Sequence, residues 1–164
     1  MKQLILVRHA KSSWDDPMQK DFDRPLNERG HKDAVAMVKR LIAKKIEIDV
    51  FVSSTANRAL TTATYFAEAY SVKKKDIIQK KELYHASSEV LLEVISGIDD
   101  ELHSVAIFSH NPGITEFATD LTNTSIDNIP TCGIFAIKLS IKHWKDFESG
   151  QKKFWFFDYP KMGD

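Results

Sequence analysis

The chain has 164 residues, enough for one domain (1–164) with a real core, and 43% hydrophobic with 28% charged residues is an ordinary soluble composition. Lys plus Arg (23) balance Asp plus Glu (23), which excludes a global field favouring nucleic acid or an anionic membrane as partner. Cys132 is the single cysteine, so an internal disulfide is excluded and a reducing, cytoplasmic setting is expected.

The first element is a continuous apolar run, Leu4 to Val7, as expected of a strand covered on both faces. It ends abruptly in Arg8 and His9, too early for a signal peptide, and no run reaches the ~18 apolar residues of a membrane span. Lys11 to Leu26 is polar with Pro17 and Pro25 and reads as a long loop, a type that is usually functional or mobile. Trp14 in this loop is expected to line the entrance to a site. Asn27 is the candidate N-cap of a helix with an apolar stripe at Ala34, Val35, Val38, Leu41 and Ile42.

Ile48 to Val52 predicts a second strand, ending at Ser53-Ser54, with Thr55 as cap of the next helix. That helix turns Ala59, Ala63, Phe66, Ala67 and Tyr70 inward. Lys73 to Lys75 is a solvated basic turn before a short strand at Ile77-Ile78. Ser87 or Ser88 opens a helix with Val90, Leu91, Val94, Ile95 and Ile98 at helical spacing. Val105 to Phe108 is a further strand, ending at Ser109-His110-Asn111-Pro112-Gly113, and a helix with Ile114, Phe117, Ala118 and Leu121 inward follows. Cys132 to Leu139 and Phe154 to Phe157 read as closing strands, the latter as a buried one. Strands alternating with helices predict an α/β fold with a mostly parallel central sheet and helices on both faces.

Three of these strands end alike. The first delivers Arg8 and His9, the second Ser53-Ser54 and then Arg58, and another Ser109, His110 and Asn111. Parallel strands with helical crossovers place such ends on one edge of the sheet, beside helix N-termini. No carboxylate stands at any of the three ends, so the pocket suits a dianion, and phosphate is the commonest. Arg holds two phosphate oxygens with its planar fork, and a neutral His nitrogen can attack phosphorus. A ring of cations stabilises phosphoryl transfer without a metal, and no Asp/His cluster stands at metal-ligand spacing. His9 follows its strand most tightly and is read as the nucleophile, with His110 as a charge-stabilising donor.

Leu6-Val7-Arg8-His9-Ala10 resembles the R-H-G/A signature of the histidine phosphatase (phosphoglycerate mutase-like) superfamily. Ser53 to Ala63 resembles that family's S-x-x-x-R-A-x-x-T-A motif, Ser109 to Pro112 its second-histidine motif, and Asp23 to Gly30 its R-P-L-[ST]-x-x-G segment. Four matches in register from about residue 3 to 139 are specific where one would not be. The short chain and the Arg24 segment look most like the SixA branch of phosphohistidine phosphatases.

The resemblance implies a three-layer phosphoglycerate mutase-like sandwich. It implies His9 as phosphorylated nucleophile, Arg8, Arg58 and His110 as the phosphate pocket, and Arg24 as a further clamp. It implies no metal and no cofactor, and a site that a phosphate or sulfate ion can occupy. Larger relatives carry a Glu general acid in an L-x-E context; Leu83-Tyr84-His85 stands there instead, leaving His85 or nearby Glu82 as candidate proton donor or leaving-group contact. A missing acid fits a leaving group that needs little protonation, such as the imidazole of phosphohistidine.

The plainer readings are a loop salt bridge of Arg24 with Asp21 or Asp23, supporting or capping roles for Ser53 and Ser109, and a core role for Cys132. The expected function is a phosphatase acting on a phosphorylated protein or a small phosphate compound. The alternatives are a broad small-molecule phosphomonoesterase and a phosphate-binding module without turnover.

Overall fold

The computed structural model describes residues 1–162. Strands β1 (Lys2–Arg8), β2 (Val50–Ser53), β3 (Ile78–Gln79), β4 (Ser104–Ser109), β5 (Ile134–Leu139) and β6 (Lys152–Asp158) form one sheet in the order β3-β2-β4-β1-β5-β6. The first four in that order run parallel, and β5 and β6 close the sheet as antiparallel neighbours. The α-helices among the described residues are α1 (Glu28–Ala43), α2 (Asn57–Ala69), α3 (Ser88–Ser96) and α4 (Gly113–Leu121).

Strand alternation sorts the core into two layers. Ile5 and Val7 of β1 pack with Met37 and Leu41 of α1 and Ala63 and Phe66 of α2. Leu4 and Leu6 point the other way, into Leu91 and Ile95 of α3 and Ile114 and Phe117 of α4. Each such side chain taken out of water contributes about 1.5–3 kcal/mol. A sheet buried on both faces explains the uninterrupted apolar runs of β1 and β4. This is the expected α/β sandwich. Among the described residues no helix is long and apolar enough to cross a membrane.

Several local expectations change. The α1 stripe is Ala34, Met37, Val38 and Leu41, while Val35 and Ile42 are 36% and 44% exposed because they flank the contact line rather than lie on it. Thr55 does not cap α2; the N-cap is Ala56, and the Ser54 Oγ accepts from its N–H. The strand predicted from Cys132 starts at Ile134, since Cys132 has a φ of 59° and belongs to the preceding turn. Phe154 to Phe157 are only half-buried, because β6 is an edge strand. Lys44 and Lys138 cover Phe156 and Trp155 there, 4.9 and 4.6 Å from the ring centroids. Cys132 is buried in the core, as expected.

The parallel register brings the carboxyl ends of β1, β2 and β4 side by side, with Arg8 opposite Ser109 and Ser53 opposite Phe108. Gly30 lets α1 start against the turn that follows His9. The Asn27 side chain caps α1 by accepting from Gly30 N–H, and Asn27 N–H donates to the Lys11 carbonyl at 2.9 Å. A Cβ on Gly30 would overlap the Lys11 carbonyl oxygen, a backbone atom that cannot swing away. Gly30→Ala is therefore expected to cost about 2 kcal/mol or more, read from denaturant unfolding, and to lower activity by displacing the Lys11 turn.

Candidate active site

His9 leaves the end of β1 with both backbone groups tied, its N–H to the Ser109 carbonyl (3.2 Å) and its carbonyl to the Cys132 N–H (3.0 Å). The next residue is pinned to α2, where Thr62 Oγ1 accepts from Ala10 N–H and donates to the Arg58 carbonyl. The His9 ring is buried, with Nδ1 2.7 Å from the Ala10 carbonyl oxygen. A carbonyl only accepts, so Nδ1 carries the proton and Nε2 keeps its lone pair. Burial pushes the His9 pKa down to about 4; the Ala10 bond opposes this, and Arg58, Arg8 and Arg24 add to it.

His110, at the end of β4, packs its ring 5.1 Å from that of His9. Its Nε2 lies 2.8 Å from the Ser54 Oγ, which accepts from Ala56 N–H and can give its own proton to the imidazole. Nδ1 of His110 is buried without a partner, and it carries the hydrogen in the tautomer in which Ser54 donates to Nε2. Burial first, and then the charges of His9 and Arg58, push the His110 pKa down to about 2. Both rings are neutral across the physiological range.

Three guanidinium groups surround the pair. Arg8 donates from Nη1 to the Ile129 carbonyl (3.0 Å), Arg24 from Nη2 to Ser12 Oγ (2.6 Å), and Arg58 from Nη1 to the Asp21 carbonyl (2.6 Å). Among the described residues, every buried side-chain polar atom without a hydrogen-bond partner belongs to this cluster: Arg8 Nε, Arg24 Nε and Nη1, Arg58 Nε and His110 Nδ1. Trp14, 76% exposed, lies over Arg24 with the guanidinium carbon 3.4 Å from its ring centroid, at the rim where it was expected.

The expectation of a pocket free of carboxylate needs correcting. The three strand ends carry none, but a 3-10 turn at Asp21–Asp23 in the long loop inserts Asp21. Its Oδ2 accepts from Arg58 Nη2 (3.0 Å) and Tyr84 Oη (2.6 Å), and its Oδ1 lies 3.5 Å from Arg24 Nε. Burial works against its ionisation, yet the bonds from Tyr84 and Arg58 and the charges of Arg58 and Arg24 hold its pKa at about 2. Arg24 thus combines the cluster position with the salt bridge to Asp21 weighed as its plainer reading. Sequence reasoning gave Asp21 no role of its own, placed Thr62 in a motif without a role, and overlooked Tyr84 and Ser12, which join the site only through tertiary contacts. The one available signal was Asp21 standing three residues before Arg24.

The two candidate proton donors part company. His85 comes to the mouth, its ring 5.7 Å from that of His110 and its Nε2 3.4 Å from Asp21 Oδ2. Glu82 instead lines a groove of about 260 Å³ on another part of the surface, with Val50, Val52, Glu93 and Ile98. Ser53 and Ser109 turn out to be supports, with Oγ donating to the Ser54 and Leu83 carbonyls. Among the described residues no group of three or more His, Cys, Asp or Glu is placed to hold a metal ion.

Paired neutral histidines and guanidinium groups at the strand ends of an α/β sandwich define a phosphoglycerate mutase-like protein. Residues 4–85, half of the chain, match the family model described as histidine phosphatase superfamily (branch 1), and the chain belongs to that superfamily. Its fold is of the SixA type. It superimposes with a TM-score of 0.81 on a protein from Agrobacterium tumefaciens provisionally named phosphohistidine phosphatase SixA, 27% identical and covered over 97% of this chain and 98% of the other. The protein histidine phosphatase SixA solved with tungstate is 22% identical, with a TM-score of 0.80 over 96% and 97% of the two chains. An uncharacterised protein of Mycobacterium tuberculosis is 28% identical over 88% of this chain and 93% of its own length.

Two neutral buried histidines also set how stability responds to acid. Their folded pKa values lie below the ordinary 6.5, so as pH falls from 6.5 towards 4 the unfolded chain takes up protons that the folded chain refuses. Stability is complete above about pH 6.5 and is lost on acidification, with a slope expected at about 2–2.5 kcal/mol per pH unit between pH 6 and 5 from these two groups. Denaturant unfolding at pH 7, 6 and 5 measures that slope, and His110→Asn should flatten it. Titration of the ring carbons by NMR should find His9 and His110 still neutral at pH 5.

Proposed function

We propose that residues 1–164 form one histidine phosphatase domain acting through a phosphorylated His9 and without a metal ion. Its substrate is a phosphohistidine protein or a small phosphate compound with a good leaving group. The observation that carries this reading is the set of five buried nitrogens without a hydrogen-bond partner on Arg8, Arg24, Arg58 and His110, of which only Arg24 Nε has a carboxylate nearby. A buried donor without a partner costs about 1–3 kcal/mol, and charged ones more, so such a set makes sense only around an anion that completes it. Three guanidinium groups against one Asp21 carboxylate leave a surplus of two positive charges, suited to a phosphate dianion.

The reaction follows from the tautomers. The neutral His9 Nε2 attacks phosphorus while the Ala10 carbonyl holds the opposite nitrogen and steadies the imidazolium as it forms. Charge on the equatorial oxygens of the transferring group meets Arg8, Arg24, Arg58 and the His110 N–H. His110, being neutral, donates without first taking up a proton. Water then attacks the phospho-His9 and releases phosphate. A module that only binds phosphate would need the arginines but no nucleophilic nitrogen.

The test is phosphate release from a phosphohistidine peptide and from p-nitrophenyl phosphate, with chelator present throughout. Turnover that persists in chelator and leaves label on His9 is expected. Phosphate binding without turnover or labelling would make the protein a binding module instead.

A further inference from the structure

The geometry points to an Asp21–His85 pair as the proton-handling device of this site, a proposal that rests on the phospho-His9 reading above. His85 would serve the leaving atom, and Asp21 would position it. Three independent features fix His85 over the cluster. Ser109 Oγ, at the end of β4, donates to the Leu83 carbonyl and ties the segment down two residues upstream. Gly113, at the start of α4, is so close to the Ala86 carbonyl that any Cβ there would overlap it, which lets the segment lie against the His110–Gly113 turn. His85 itself has a φ of 54°, a left-handed conformation costing a non-glycine residue about 1–2 kcal/mol. Strain of this kind persists where the surroundings over-determine it, and it gathers at functional sites.

With this backbone the rings of Tyr84 and His85 lie 4.0 Å apart, tilted by 34°, and both approach His110, at 5.5 and 5.7 Å. The elements around His85 contribute charged or titratable groups. The long loop supplies Asp21, α2 supplies Arg58 near the Tyr84 ring, the β4–α4 turn supplies His110, and the adjacent residue is Tyr84. Asp21 is the one anion among them. Its Oδ2 receives Tyr84 and Arg58 and lies 3.4 Å from His85 Nε2, so the carboxylate orients the imidazole and balances an imidazolium. The His85 side chain is 57% exposed, open to a bound leaving group.

The chemistry then balances. In the first step the His9 Nε2–P bond forms as the bond from phosphorus to the leaving oxygen breaks. The leaving oxygen keeps the electron pair and takes a proton from the His85 imidazolium. In the second step a water oxygen bonds to phosphorus, the P–N bond breaks, and the neutral His85 takes the water proton. One phosphate is released and both histidines return to their starting states.

Aryl phosphates graded from p-nitrophenyl to phenyl test this, because an acid matters more as the leaving group becomes poorer. His85→Asn is the cleaner variant, since Asn tolerates the left-handed backbone. It should lower kcat/KM for phenyl phosphate roughly 10²-fold, at least ten times more than for the p-nitrophenyl ester. Added imidazole should restore part of the phenyl phosphate rate, and Asp21→Asn should steepen the leaving-group dependence in the same sense. Equal losses on both esters, or no change in their ratio, would overturn the proposal. Failure to label His9 in the wild type would instead remove the reading beneath it.

Discussion

His9→Ala is expected to lower phosphatase turnover on the order of 10⁴-fold or more and to abolish acid-labile phosphate labelling of the chain. The side chain removed is the imidazole of the cluster whose Nε2 lone pair is left free, Nδ1 being committed to the Ala10 carbonyl. The rest of the anion site stays in place, because Arg8, Arg24 and His110 are held by Ile129, Ser12 and Ser54 rather than by His9. Inorganic phosphate should therefore still bind the variant with an affinity within about tenfold of wild type, measured by calorimetry. Rapid-quench labelling separates the two functions. A variant that retained turnover would sink the nucleophile assignment even if phosphate binding were unchanged.

Arg58→Ala should have the second largest effect, roughly 10²–10³-fold in kcat/KM, the range found when one preorganised donor to a transition-state anion is removed. Here the loss is compounded. Arg58 grips Asp21 twice, through its carbonyl and its carboxylate, and presents a buried, unpartnered Nε to the cluster. Without it the Asp21 carboxylate keeps its charge but loses its principal partner, and repels an incoming dianion. Arg58→Lys should rescue little, since one ammonium cannot hold both Asp21 oxygens and a ligand at once. Asp21→Asn in the Arg58→Ala background should then recover part of the phosphate affinity. Steady-state kinetics with phosphate as competitive inhibitor gives both numbers.

Pattern along the chain already marks the strands whose apolar runs stop at charged or hydroxyl residues, and therefore the sheet edge where His9, Arg58 and His110 meet. It does so because a doubly covered strand must be apolar without interruption, so an Arg-His or Ser-His step has to mark its exit. Helix faces were legible to within a residue, with Met37 replacing Val35 and Ile42, because hydrophobic periodicity fixes the direction of a face but not its edges. Exposure of the Phe154–Phe157 strand was not legible, since a strand's place at a sheet edge is a property of topology.

The role of the long loop emerges from packing alone. Asp21 meets Arg58 and Tyr84 across 37 and 63 residues of chain, through a turn with no periodic signature, and no local rule links those positions. The same holds for His85 and Glu82. Three residues apart, they are equivalent as candidate donors on paper. The strained turn at His85 and the close approach at Gly113 carry one to the site, while Glu82 lines a groove elsewhere. Short-range pattern determines which groups reach the mouth of a sheet; the long-range packing of loops decides which of them share a proton or a charge there.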